Sequence, residues 1–256
     1  PGLVVTHAIW HREHNRLAKL LAELQPGWGD ERLFQEARRI VVAEVQHVTY
    51  NEWLPLVLGP HMAASLASLP YSPSITAAIS TEFATAALRF GHSMVTDNIK
   101  LFSTGCPRKE VDVRPLEKNM FNPDLLHTPG NLDQLVAGQG SSPAPSPGAW
   151  LSAALRGGLF SNGPLPHQGG QDLASRNIQR GRDHGVPGYA AYRHLCSKTS
   201  VSTFSDLSDV MPLATRSALA RTYRQVEDVD LWVGGLLETP LPGALVGPTF
   251  SCLLAE

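Results

Sequence analysis

The residues of this chain best suited to chemistry are histidines and arginines. Ten His occur among 256 residues. His7, His11 and His14 fall in one segment, with Glu13 beside them. His7 and His11 are spaced i, i+4, so on a helix they share a face, and a zinc pair is geometrically allowed. The segment is not His-Glu-x-x-His, however, and no neighbouring Cys or carboxylate pattern completes a site. The plainer reading is a polar helix. His92 is different. It ends the run Thr85-Ala86-Ala87-Leu88-Arg89-Phe90-Gly91-His92. Arg89 stands three residues earlier, so on a helix it reaches the same face. Gly91 removes bulk beside the histidine, which would let a flat cofactor approach the backbone. A neutral imidazole is a normal iron ligand, and a cation nearby suits an anionic group on such a cofactor. From spacing alone, a single His on a helix is more often a core or surface residue. A third group is Arg176-Asn177-Ile178-Gln179-Arg180-Gly181-Arg182-Asp183-His184-Gly185-Val186-Pro187-Gly188. It reads either as a solvated basic turn or as an anion-binding corner with an Asn available for hydrogen bonding.

The elements that must position these groups read as helices. In residues 5–24, Val5, Ile9, Leu17, Leu20, Leu21 and Leu24 recur at helical spacing, and Pro26-Gly27 ends the run. Asp30 can cap a second helix, which carries Leu33, Ala37, Ile40, Val41, Val45 and Val48 and ends before Leu54-Pro55. The pair predicts a helical hairpin. A third helix is expected from Ser80 to Ile99, with Phe83, Ala87, Phe90 and Met94 as its stripe. From 103 to 148, Gly and Pro break every period, and 136–148 reads as a flexible Gly/Ser/Pro loop. Short helices follow near 149–156, 172–180, 188–196 and 212–224, with a second Gly/Pro stretch at 157–170. No alternating strands stand out. The expected class is mainly α, with long Pro/Gly-rich loops.

Composition agrees with a globular chain: 43% hydrophobic, 17% charged and a net charge of −2. That charge supplies no global basic field for nucleic acid. No apolar run of 18 residues exists, so no membrane span is expected. The chain begins at Pro1 without a signal-peptide pattern. It stops at Glu256 inside an apolar run, and so reads as cut at both ends. Cys196 and Cys252 are able to pair, leaving Cys106 over; composition does not decide this.

Asn177 to Tyr189 strongly resembles a signature of the animal haem peroxidase family, the group of myeloperoxidase, peroxidasin and peroxinectin. Arg12-Glu13-His14-Asn15-Arg16-Leu17 resembles the family's first-helix motif, and Thr85 to His92 its proximal-histidine motif. Tyr223 to Val233 and Gly247 to Cys252 fit the same pattern. Phe121-Asn122-Pro123 and Leu132-Asp133-Gln134-Leu135 lean toward invertebrate members. The resemblance implies that 1–256 is the proximal-side part of a haem peroxidase domain. It implies that His92 is the axial ligand of a haem b iron. Asn177 is expected to accept a hydrogen bond from the other ring nitrogen and so raise the ligand's basicity. Arg89 and Arg180 are expected to clamp the propionates. Cys196 and Cys252 match a family disulfide, which implies a secreted, oxidising setting. Asp183 and His184 are expected in structural packing. The implied reaction reduces hydrogen peroxide while a small phenolic, halide or protein substrate is oxidised.

The resemblance also says what is absent. The family's distal His and Arg, its ester-linking carboxylates and its calcium site precede the first-helix motif, so they fall outside this chain. No catalytic residue of the distal side is expected here, and calcium belongs to the full-length protein. Leu88 stands where the family often has an aromatic, and Arg176 where an apolar residue is usual. A Pro/Gly/Ser loop replaces a longer acidic helical segment between Leu135 and Asp172. The alternative function is a catalytically inactive adhesion or scaffold relative, with a cell-surface or matrix partner.

Overall fold

The structure, a computed structural model, describes residues 1–161 and 168–256. Part of the Gly/Pro stretch 157–170 therefore lies outside the described residues. The principal helices are, in chain order, α1 (Gly2–Leu24), α2 (Asp30–His47), α3 (Thr81–Thr85), α4 (Asn131–Ser141), α5 (Leu173–Asp183), α6 (Tyr189–Ser197), α7 (Leu231–Leu237) and α8 (Pro248–Ala255). Helix outweighs strand, 59% to 6%, so the mainly α expectation holds. One antiparallel ribbon is present: β1 (Asn98–Phe102) pairs with β2 (Glu110–Pro115), with a register shift between Leu101 and Phe102. No strand was expected here, although Ile99, Leu101, Val111 and Val113 alternate with polar residues, because both runs are short and the connection carries Gly105 and Pro107.

The residues group into two compact units, 1–52 with 97–143, and 53–96 with 144–256. In the first, α1 and α2 pack as the expected hairpin. His14 joins them through Nε2 to the Phe34 carbonyl oxygen, 3.1 Å, with its ring against the Phe34 ring. Asp30 is the first residue of α2, where its charge suits the positive helix end; Gly29 holds the cap position. The apolar core of this unit is Val5, Leu101, Leu125 and Leu135. Of the residues predicted for the α1 stripe only Val5 is buried, while Ile9, Leu20 and Leu24 are exposed. On α2 the same holds: Ala37 is buried, and Ile40, Val45 and Val48 face outward.

Residues 136–148 correct the loop expectation in part. Residues up to Ser141 belong to α4, and the loop starts only after it. The glycine that made the stretch look flexible has a packing reason. A Cβ on Gly138 would lie 1.9 Å from the Lys100 carbonyl oxygen, so glycine allows α4 to touch the backbone of β1.

The second unit has a core of Tyr189, Val201, Leu207, Val210, Met211, Leu219, Val226 and Val229. A buried carboxylate ties its helices. Glu238 accepts from the Tyr189 hydroxyl (2.7 Å), the Thr249 hydroxyl (2.6 Å) and the Thr249 backbone N–H (2.8 Å). Burial pushes Glu238 up, and these donors offset part of that push. The Cys196–Cys252 disulfide joins α6 to α8 across 56 residues. Closing a loop of that length stabilises by about 4 kcal/mol in the chain-entropy view. Cys106 is free and exposed. Helices α7 and α8 were not predicted. A Gly-Gly pair lowers the helix propensity of α7 by about 1 kcal/mol per glycine. The pair is retained because a Cβ on Gly234 would meet the Tyr189 ring at 2.2 Å, and one on Gly235 the Phe250 ring at 2.2 Å.

The contact at Gly138 makes a direct prediction. Gly138→Ala should destabilise the first unit by about 3 kcal/mol, the upper end for overpacking against backbone that cannot retreat. Gly27→Ala, where an added Cβ meets nothing within 4 Å, should be near neutral. Chemical-denaturant unfolding of both variants measures the difference; equal midpoints would contradict the packing account.

Candidate functional site at His92

The helix expected from Ser80 to Ile99 is broken. Ser80 caps α3 by accepting from the Phe83 N–H (3.3 Å), and α3 ends at Thr85. Ala86 leaves helical geometry at φ −133° and ψ −66°, and Ala87–Met94 continues as a 3₁₀ helix. The chain then enters β1. Ala86, Ala87 and Phe90 are buried, so packing holds the tighter turn despite its weaker intrinsic hydrogen bonding. The break sets the direction of Arg89 and His92.

Asn177 sits on α5 with none of its surface exposed. Asp172 starts that helix by accepting from the Ala174 N–H (2.9 Å). The Asn177 amide lies between two partners. Its Oδ1 accepts from Arg89 Nη1 at 3.0 Å, and its Nδ2 faces His92 Nδ1 at 2.9 Å. Arg89 also donates through Nε to the Ala84 carbonyl oxygen, 3.0 Å. A guanidinium has only donors, so it pairs with the amide oxygen. The Asn177–Nδ1 contact holds the ring whichever tautomer it takes, and Nε2 has no hydrogen-bond partner among the described residues.

Burial pushes the His92 pKa down, and the Arg89 charge pushes it further. The ring is then neutral near pH 7, the form that ligates metals. Burial also lowers Arg89, helped by the positive charge of Arg180. Arg180 itself is exposed and lines a cleft of about 480 Å³ with Ser175, Arg176, Gln179 and Asp183. Arg176 is exposed and donates to Gln171, so its charge does not enter the core. Asp183 and His184 are exposed as well, which corrects their assignment to packing; His184 Nδ1 meets the Arg180 carbonyl oxygen at 3.0 Å. His7 lies on α1, with Nδ1 2.8 Å from the Leu3 carbonyl oxygen. Among the described residues no group of three or more His, Cys, Asp or Glu is placed to hold a metal.

Known proteins share this arrangement of sequence and fold. The family model "Animal haem peroxidase" matches residues 1–256. The chain belongs to the animal haem peroxidase family. It is 40% identical to Peroxidasin of Drosophila melanogaster over 260 residues, covering 100% of this chain and 17% of that protein. It is 37% identical to Peroxinectin A of Dictyostelium discoideum, covering 100% of this chain and 46% of that one. Among solved structures, Peroxidase A from Dictyostelium discoideum superposes with a TM-score of 0.83 at 35% identity, covering 100% of this chain and 48% of that chain. A fatty acid alpha-dioxygenase of Oryza sativa reaches 0.77 at 18% identity, a likeness of fold alone. The chain thus spans less than half the length of each of these relatives.

The residues present fit a haem. His92 offers a neutral ring with Nε2 free, and a Cβ on Gly91 would meet nothing within 4 Å, so space lies open beside it. Arg89 and Arg180 place two positive charges within each other's field, which an anion would relieve. No helix is long and apolar enough to cross a membrane among the described residues.

Replacing Arg89 by Met should raise the pKa of His92. The substitution removes a nearby cation and frees the Asn177 amide to turn its oxygen toward a protonated ring. A ¹³C- or ¹⁵N-edited NMR titration of the haem-free protein reads the shift; an unchanged or lowered His92 pKa would contradict this electrostatic account.

Proposed function

We propose that residues 1–256 form the proximal side of the haem pocket in a peroxidase, with His92 Nε2 as the axial ligand of a haem b iron. The observation that carries this reading is the Arg89–Asn177–His92 chain of hydrogen bonds, which leaves one ring nitrogen open and the other held. Bound haem supplies the redox chemistry with hydrogen peroxide, and a phenolic, halide or protein substrate restores it. The residues of this chain hold and tune the ligand. Asn177 fixes the ring plane through Nδ1. A neutral ring that ligates through Nε2 carries its proton on Nδ1, and the Asn177 amide oxygen, turned toward Nδ1, would accept it. That hydrogen bond would raise the basicity of the ligand, which favours the peroxide chemistry the haem would supply. Arg180, with Arg89, is the partner for the propionates, where charge-assisted hydrogen bonds are strongest.

The distal His and Arg, the covalent haem links and the calcium site that the family resemblance implies match no residues of 1–256. The disulfide between Cys196 and Cys252 favours a secreted, extracellular protein. The likeness to Peroxinectin A keeps a second reading in view, in which the fold serves adhesion without catalysis and has a cell-surface or matrix partner.

Hemin titration separates these readings. The wild-type full-length protein should develop a Soret band at one equivalent, and His92→Ala should lose most of it or shift it. Identical hemin spectra for wild type and His92→Ala would sink the axial-ligand assignment. Peroxidase turnover of the loaded protein distinguishes the enzyme from the adhesion relative.

A further inference from the structure

We propose that Asp230 and Trp232 are positioning residues for the iron ligand, forming one short bracket that sets the distance between the His92 turn and the Asn177 helix. The inference rests on the reading of His92 as the axial ligand. The His92–Asn177 contact joins residues 85 positions apart on two separate elements, at 2.9 Å. A hydrogen bond of this kind weakens with a few tenths of an ångström of drift or a modest loss of angle. Something must therefore hold the two elements in register.

Each element is tied to the same three residues. On the α5 side, Arg182 lies five residues beyond Asn177. It makes a bidentate pair with Asp230, Nε to Oδ1 and Nη2 to Oδ2, both 2.8 Å. The Tyr223 hydroxyl donates to Asp230 Oδ2 at 2.8 Å and fixes the carboxylate plane. Burial and the Asp230 carboxylate push the Tyr223 phenol up to about 12, so it stays a donor across ordinary pH. On the other side, the Trp232 indole N–H donates to the Arg89 carbonyl oxygen at 3.3 Å. In a 3₁₀ turn that carbonyl faces the residue three positions on, which here is His92. Trp232 is 5% exposed, so its ring is fixed by packing.

Asp230 and Trp232 are separated by one residue, at the start of α7. The bracket is thus short and leaves no slack. α7 packs against both α5 and the 3₁₀ stretch Ala87–Met94. Asp230 is held further by a backbone bridge to Gly188, where a Cβ would lie 2.4 Å from the Glu227 carbonyl oxygen. The Arg182 side chain is 60% exposed, so the ion pair adds little to stability on its own. Its bidentate geometry is suited to alignment.

The test uses the haem-loaded full-length protein and the iron–imidazole stretching band of its ferrous form, read by resonance Raman. Trp232→Phe keeps the aromatic packing and removes the N–H. Asp230→Asn keeps the shape and removes the charge-assisted pair. Both should fold, and both should shift and broaden the band; a variant that keeps the wild-type circular dichroism but loses haem is the extreme of the same effect. Glu238→Gln loosens the same unit without touching either arm, and should leave the band in place. An unmoved band in either loaded variant, or an equal shift in Glu238→Gln, overturns the proposal. If Trp232→Phe does not fold, Asp230→Asn decides alone. Failure of the underlying reading is separately visible: a wild-type band in His92→Ala rejects the ligand assignment, whatever the bracket variants do.

Discussion

One buried amide orders the site. Asn177 has no exposed surface, so its donor and acceptor must both be satisfied inside the protein. Arg89, which has only donors, takes the oxygen. The same amide meets His92 Nδ1 at 2.9 Å. The held and the open ring nitrogen follow from that one contact, while burial and the Arg89 charge lower the basicity of the free ring.

The surrounding packing exists to keep three short segments in contact with that amide. The break at Ala86 turns Arg89 and His92 toward α5, which a continuous helix through Ile99 would not do. Glycines 234 and 235 let α7 lie directly on the rings of Tyr189 and Phe250. The Glu238 carboxylate and the Cys196–Cys252 disulfide then fasten α6 and α8 around the same core. A buried carboxylate is costly unless its lone pairs are met, and here three donors meet them.

The first unit has a different balance. Its core is small, and much apolar surface on α1 and α2 stays exposed, including Ile9, Leu24, Phe34 and Val45. A cleft of about 910 Å³ lies along the hairpin, lined by Ile9, Trp10, Ile40 and Val48 together with Arg16, Glu44 and His47. The relatives are more than twice as long as the segment matched here.

Local pattern in the sequence was enough for the long helices, because a 3.6-residue period survives without knowledge of the fold. It also picked out Arg89, His92 and Asn177, which the fold brings together, because Arg89-Phe90-Gly91-His92 and the run from Asn177 to Tyr189 are distinctive in type and order. It failed where a long-range contact overrides local preference. The contact of α4 with β1 at Gly138 and the Gly-Gly helix α7 both depend on backbone approaching backbone or a ring, which no period records. The amide of Asn177 is the clearest case. The sequence named the residue and its partner; only the tertiary fold brought Arg89, 88 residues away, onto the same buried amide.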